Sequence, residues 1–135
     1  MTIFSKIIAG EIPSYKIVEN DKFFAFLDIF PVKKGHTLVI PKIEVDKIFD
    51  VPDEYLTELL VFSKPIAKAI EKCFACNRVN IITVGLEVPY AHVHLIPTNH
   101  LHDMNLANEK LKFSKEEFIQ IQEKIIAAML PDHSP

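Results

Sequence analysis

Two histidines stand two residues apart in the segment Tyr90-Ala-His-Val-His-Leu-Ile-Pro97. In an extended chain, side chains alternate between faces. Tyr90, His92, His94 and Ile96 therefore share one face, and Ala91, Val93 and Leu95 share the other. The second set is wholly apolar and is expected to face a core. That leaves two imidazoles and a phenol aligned opposite, with roughly 7 Å between successive residues. Aligned imidazoles suit two kinds of chemistry. One ring can act as a nucleophile while its neighbour donates a hydrogen bond to charge developing on the reacting group. Alternatively, both can ligate a metal ion. A solvent-facing strand whose histidines have no role is the third reading that spacing alone permits.

The rest of the chain must supply a sheet to hold that strand. Residues 3–9 read as a short helix closed by Gly10, with Pro13 preventing its extension. Strands are expected over 15–19, 23–29 and 36–40, the first two separated by the turn signal Asn20-Asp21. Pro31 to Gly35 reads as a loop with Lys33 and Lys34 exposed, and Pro41 is expected to end the third strand. Residues 53–74 carry Tyr55, Leu59, Leu60, Ile66, Ile70 and Phe74 at helical spacing, with acidic residues in the first turn. Pro65 inside that pattern predicts a kink, because its ring clashes with the carbonyl of Val61. Strands are expected over 78–84 and 91–96, the last bounded by Pro97. A final helix starts at Ser114, where Glu117 completes a capping box and Phe113 can staple to Phe118. Its buried face continues through Ile121, Ile125 and Met129. Residues 101–111 look irregular. Short connections between strands imply antiparallel pairing. The fold class is α+β: a five-stranded antiparallel sheet with a long helix and a C-terminal helix, in one domain over residues 1–135.

Composition narrows the function. The chain has 135 residues, of which 49% are hydrophobic and 24% charged, enough for a core without disulfides. The net charge of -3 argues against a nucleic-acid partner, which usually selects a basic surface. No run approaches the roughly 18 apolar residues of a membrane span. Ser5, Lys6 and Glu11 interrupt any signal-peptide pattern, so a cytoplasmic location without membrane association is expected. Cys73 and Cys76 form a CxxC, but at the end of a helix, away from the N-terminal position that activates a redox thiol. They read as two reduced thiols. A metal held by them with His100 and His102 is a weaker alternative, because the spacing is not a zinc pattern.

The segment 90–97 resembles the signature of the histidine-triad (HIT) family, in which histidines alternate with apolar residues and a proline often follows. Pro97 sets the register, making His92 the second histidine and His94 the third, with Tyr90 in the first position. Further similarity lies in Ile3-Phe-Ser-Lys-Ile-Ile-Ala-Gly-Glu-Ile-Pro13, in Phe26-Leu-Asp-Ile29 with Pro31, and in Gly35-His-Thr-Leu-Val-Ile-Pro-Lys42. It spans about residues 3–99.

The resemblance implies an enzyme that binds a nucleotide, of purine type, and cleaves a phosphoramidate, ester or anhydride bond at the α-phosphorus. His92 would be the nucleophile of a covalent nucleotidyl-histidine intermediate, oriented by a backbone carbonyl from the first triad position. His94 would stabilise charge on the phosphate, with Tyr90 completing the catalytic set. A tyrosine is neutral near pH 7, so this departure points to altered activity, or to a nucleotide-binding module without turnover. The carboxylate of Asp28 matches the group that holds ribose hydroxyls. Phe26 and Ile29 would line the base pocket, and His36 would support the site. Glu87 stands where a serine is common, Leu86 where a glutamine is common, and Thr83 near a usual asparagine. These changes bear on the leaving group. Several members bind structural zinc through N-terminal cysteines; Ser5 occupies one such place, so no zinc, and no cofactor, is expected. The family also implies a homodimer built by joining two five-stranded sheets.

Overall fold

A computed structural model describes residues 2–130. Its elements run α1 (Ile3–Ile8), β1 (Lys16–Glu19), β2 (Phe23–Leu27), β3 (Thr37–Pro41), α2 (Asp53–Cys73), β4 (Arg78–Ile82), β5 (Val93–Thr98) and α3 (Lys115–Met129). Two 3-10 turns, Ile48–Asp50 and Leu101–Met104, lie in the connections. The strands form one antiparallel sheet in the order β1-β2-β3-β5-β4. No described helix is long and apolar enough to cross a membrane.

Alternation divides the sheet between two cores of unequal size. Phe23, Ala25 and Leu27 of β2, Val39 of β3 and Val93 and Leu95 of β5 pack under α2 and α3. The alternate residues Phe24, Phe26, Leu38 and Ile40 join Tyr90 in a smaller cluster with Phe4 and Ile7 of α1. The apolar face of the histidine segment thus meets the main core as its pattern requires. The opposite face is covered too: Tyr90 is 2% exposed, His92 6% and His94 8%. A solvent-facing strand is thereby ruled out.

Element boundaries shift where side chains or neighbours intervene. β2 stops at Leu27, short of residue 29, because Asp28 turns the chain by accepting the Phe30 N–H on Oδ1 at 2.8 Å. β4 ends at Ile82, two residues earlier than its apolar run. β5 runs over Val93–Thr98 and includes Pro97, which therefore does not end it. Its pairing with β3 reaches only to Leu95, while its pairing with β4 continues through Pro97 and Thr98. Beyond Leu95 one side of β5 has no ladder to supply, so a residue without N–H is tolerated. Pro41 at the end of β3 is accommodated in the same way.

α2 is continuous through Pro65, which lies on its exposed side. Leu60, expected in the apolar stripe, is 63% exposed, and Val61 beside it is 70% exposed. Ser114 and Glu117 form the capping box of α3, and the rings of Phe113 and Phe118 meet edge to face at 5.5 Å. Thr2 and Ser5 cap α1 in the same manner, and the Ser5 hydroxyl donates to Glu44 Oε1 at 2.9 Å.

Gly35 is required by the turn into β3. Its φ is +98°, and a Cβ there would lie 2.7 Å from the Phe74 ring. Lys33, expected to be exposed, is half-buried and pairs with Asp103 at 3.0 Å. The carboxyl of Asp103 also accepts the N–H groups of Asn99 and His100, each at 2.9 Å. Those bonds, followed by the Lys33 pair, hold its pKa well below the usual carboxylate range. They tie the segment after β5 to the β2–β3 loop.

Candidate active site

His92 lies just before β5 and is oriented by main chain on both sides. Its Nδ1 is 2.7 Å from the carbonyl oxygen of Tyr90. A carbonyl only accepts, so Nδ1 carries the hydrogen, and the neutral ring has its lone pair on Nε2. The His92 carbonyl accepts a bond from Thr83 Oγ1 at 2.7 Å, which pins its own peptide. The Phe4 ring stands edge-on to the imidazole at 5.0 Å.

His94 is set by a second chain of bonds. The Val32 N–H donates to Nδ1 of His36 at 3.2 Å. An amide nitrogen only donates, so in the neutral ring the His36 hydrogen sits on Nε2. That atom is 2.9 Å from Nδ1 of His94. His94 Nδ1 therefore accepts, and its own hydrogen is displaced to Nε2. Burial pushes the pKa of both His36 and His94 down to about 3. The Lys110 ammonium acts in the same direction on both rings. Both rings are neutral near pH 7, and the direction of the chain is fixed. The His92 and His94 rings are 4.9 Å apart, one with a free lone pair and the other with a free N–H.

Both rings line a cavity of about 660 Å³. Ile3, Phe4 and Ile7 of α1 close one side, and Val84 to Val88 border another. Phe26, Ile29, Asp28, His36 and Glu87 all contribute to its wall. Asp28 Oδ2 lies 3.5 Å from His36 Nε2, while Oδ1 is engaged by Phe30.

Asp28, His36 and His94 bring three ligand-type atoms within 4.8 Å of one another, which revives the metal reading. The hydrogen-bond chain opposes it. A metal on His36 Nε2 would move that ring's hydrogen to Nδ1, against the Val32 N–H. His94 Nε2 offers a hydrogen to the cavity, not a lone pair. The donor set fits a relay of hydrogen bonds better than a coordination sphere.

Two expected site residues lie elsewhere than their side chains suggest. The Tyr90 phenol turns away from the cavity and donates to the Pro41 carbonyl; burial pushes its pKa up to about 12. Only its carbonyl reaches the histidines. Thr83 braces the peptide of His92 and does not line the cavity. Cys73 and Cys76 are free thiols, and burial raises the pKa of each. Among the described residues, His100 and His102 stack on each other at 5.5 Å without joining a group of three ligands.

Phe4 and Lys110 line the cavity without having been marked in the sequence. Phe4 looked like any apolar residue of a short helix. Lys110 falls in the irregular stretch 101–111, which is positioned by the long-range bonds of Asp103 and Leu111.

Solved structures share this fold. A HIT-like protein from Bartonella henselae superposes with a TM-score of 0.81 at 32% identity, covering 94% of this chain and 95% of that one. A hypothetical histidine triad nucleotide-binding protein from Sulfolobus tokodaii gives a TM-score of 0.82 at 28% identity, covering 93% and 90%. The fold and the paired histidines define a small α+β protein of histidine-triad type. Residues 9–101 match the model of the HIT domain, and the chain belongs to that family. Among curated relatives, protein hit of Bacillus subtilis is 41% identical over 100 residues, 70% of this chain and 69% of that protein. Adenosine 5'-monophosphoramidase HNT1 of Saccharomyces cerevisiae is 43% identical over 100 residues, 70% of this chain but 61% of the yeast protein.

Proposed function

We propose that the protein binds a purine nucleotide and hydrolyses a phosphoramidate bond at its α-phosphorus through His92. The observation that carries this reading is the opposite polarity of two adjacent rings: His92 offers a lone pair where His94 offers an N–H. A phosphorus centre placed between them meets a nucleophile and a donor for its non-bridging oxygen. The printed name of the yeast relative supports the substrate class.

His92 Nε2 attacks phosphorus, the P–N bond breaks, and its electron pair leaves with the amine nitrogen, which takes a proton from solvent at the open mouth. The resulting nucleotidyl-imidazole is cationic because Nδ1 keeps its hydrogen, and the Tyr90 carbonyl stabilises that charge. Water then attacks phosphorus, loses a proton, and releases the mononucleotide and the neutral ring. Splitting one displacement into two is the gain of covalent catalysis. The His94 N–H strengthens its bond as charge grows on the phosphoryl oxygen. Asp28 accepts from ribose hydroxyls, and Phe26 and Ile29 flank the base. Glu87, at the exposed rim, faces the leaving amine.

Adenosine phosphoramidate is the probe. Wild-type protein should release AMP, and His92→Ala should lose about a thousandfold or more in rate, the scale of removing a covalent nucleophile. Equal release by both proteins would sink the assignment. A module that binds without turnover rests only on Tyr90, whose phenol lies outside the cavity. For assembly, the proposal is a homodimer through the edge strand β4, where Ile81 is 43% exposed. Light scattering should return twice the monomer mass, and Ile81→Lys should halve it.

A further inference from the structure

Lys110 is the only lysine or arginine among the described residues that line the cavity. It is half-buried and held by built structure, not by chance proximity. The next residue, Leu111, donates its N–H to the Pro31 carbonyl at 2.8 Å, fastening the segment to the loop that carries Asp28 and leads into His36. Asn108 Nδ2 donates to the His102 carbonyl at 2.7 Å, and Asp103 anchors the turn before it. The ammonium donates one bond to the Leu106 carbonyl. An ammonium has three hydrogens, so two remain for a ligand. Its charge reaches the histidine pair, lowering the proton affinity of both His36 and His94.

The need for such a group follows from the rest of the wall. His36 and His94 are neutral, Asp28 and Glu87 are acidic, and most of the remaining lining is apolar. A phosphate entering this cavity would meet carboxylates with no permanent positive charge to balance them unless Lys110 provides it. Lysine serves phosphate as a compact point charge on a flexible stem.

We infer that Lys110 is a phosphate-binding residue, placing its ammonium against a non-bridging oxygen of the bound nucleotide and so selecting phosphorylated nucleosides over neutral ones. This rests on the nucleotide reading above and adds a residue to it. Lys110 acts in the ground state and in the reaction alike, so its loss weakens binding more than turnover.

The test compares the affinities of AMP and adenosine by calorimetry for wild type, Lys110→Gln and Lys110→Arg. Wild type should prefer AMP. Lys110→Gln should lose about tenfold or more in AMP affinity, the scale of a charge-assisted hydrogen bond. It should keep its adenosine affinity, which also shows that the cavity is intact. Lys110→Arg should restore the preference. A wild type that binds AMP no better than adenosine overturns the nucleotide reading and this one together. A wild type that prefers AMP, with Lys110→Gln unchanged, overturns the role of Lys110 alone. An effect of Lys110→Gln on KM for adenosine phosphoramidate but not on AMP affinity would move the lysine to the leaving group and overturn it too.

Discussion

His36 Nε2 lies 2.9 Å from His94 Nδ1, and the amide of Val32 on the far side of His36 decides which ring gives and which receives. A main-chain amide has one hydrogen and no alternative, so the direction of the whole relay is set outside the cavity. On the proposed chemistry, His36 is a positioning residue. It need not touch a substrate to determine what His94 presents to one.

His36→Leu should therefore damage the chemistry more than the binding. Without a donor at Nδ1, the His94 hydrogen is free to move there, leaving a lone pair toward phosphate. A loss in kcat of about a hundredfold is expected, in scale with removing a preorganised donor. His36→Gln keeps a side-chain N–H and should recover part of it. Nitrogen chemical shifts of His94 report the tautomer directly. A leucine variant with the wild-type tautomer and rate would refute the relay.

Tyr90→Phe should separate stability from activity. The phenol donates to the buried Pro41 carbonyl, so its loss should cost about 1 kcal/mol in urea unfolding. The carbonyl that orients His92 stays, so AMP release should remain near the wild-type rate. A large fall in kcat would instead place the phenol in the reaction.

Acid should destabilise the fold through the same histidines. His36 and His94 have pKa values of about 3 when folded, against the ordinary value of 6.5 when unfolded. Between those values the unfolded chain binds more protons, so stability is fully present above pH 6.5 and falls as pH drops toward 3. The slope reaches at most about 1.4 kcal/mol per pH unit for each histidine. Urea midpoints from pH 7 down to 4 measure it, and His36→Leu should flatten the profile. A variant with an unchanged slope would show that other groups dominate.

Much of this was legible in the sequence because alternation is a local signal. Val93 and Leu95 against His92 and His94 place the strand, its core face and its cavity face, and the family pattern supplies the order of the histidines. Ser114, Glu117 and Phe113 announced a helix start by chemistry that acts within four residues. What was not legible depends on neighbours remote in the chain. Pro97 reads as a terminator until β5 is seen to lose β3 on one side. Tyr90 reads as a site residue until its phenol is found beneath α1. Lys110 sits in a stretch with no periodicity, and only the long-range bonds of Asp103 and Leu111 bring it to the cavity.

α1 has six residues, yet Ile3, Phe4 and Ile7 form one wall of the cavity and Phe4 steadies the His92 ring. The larger core beneath α2 and α3 does not include them. Short elements fastened by few apolar contacts are the first to open in a folded chain. Opening α1 would disassemble the pocket while leaving the sheet whole. On the proposed nucleotide reading, occupancy and unzipping of this helix are competing events, and the hold on a bound nucleotide is bounded by how tightly six residues stay shut.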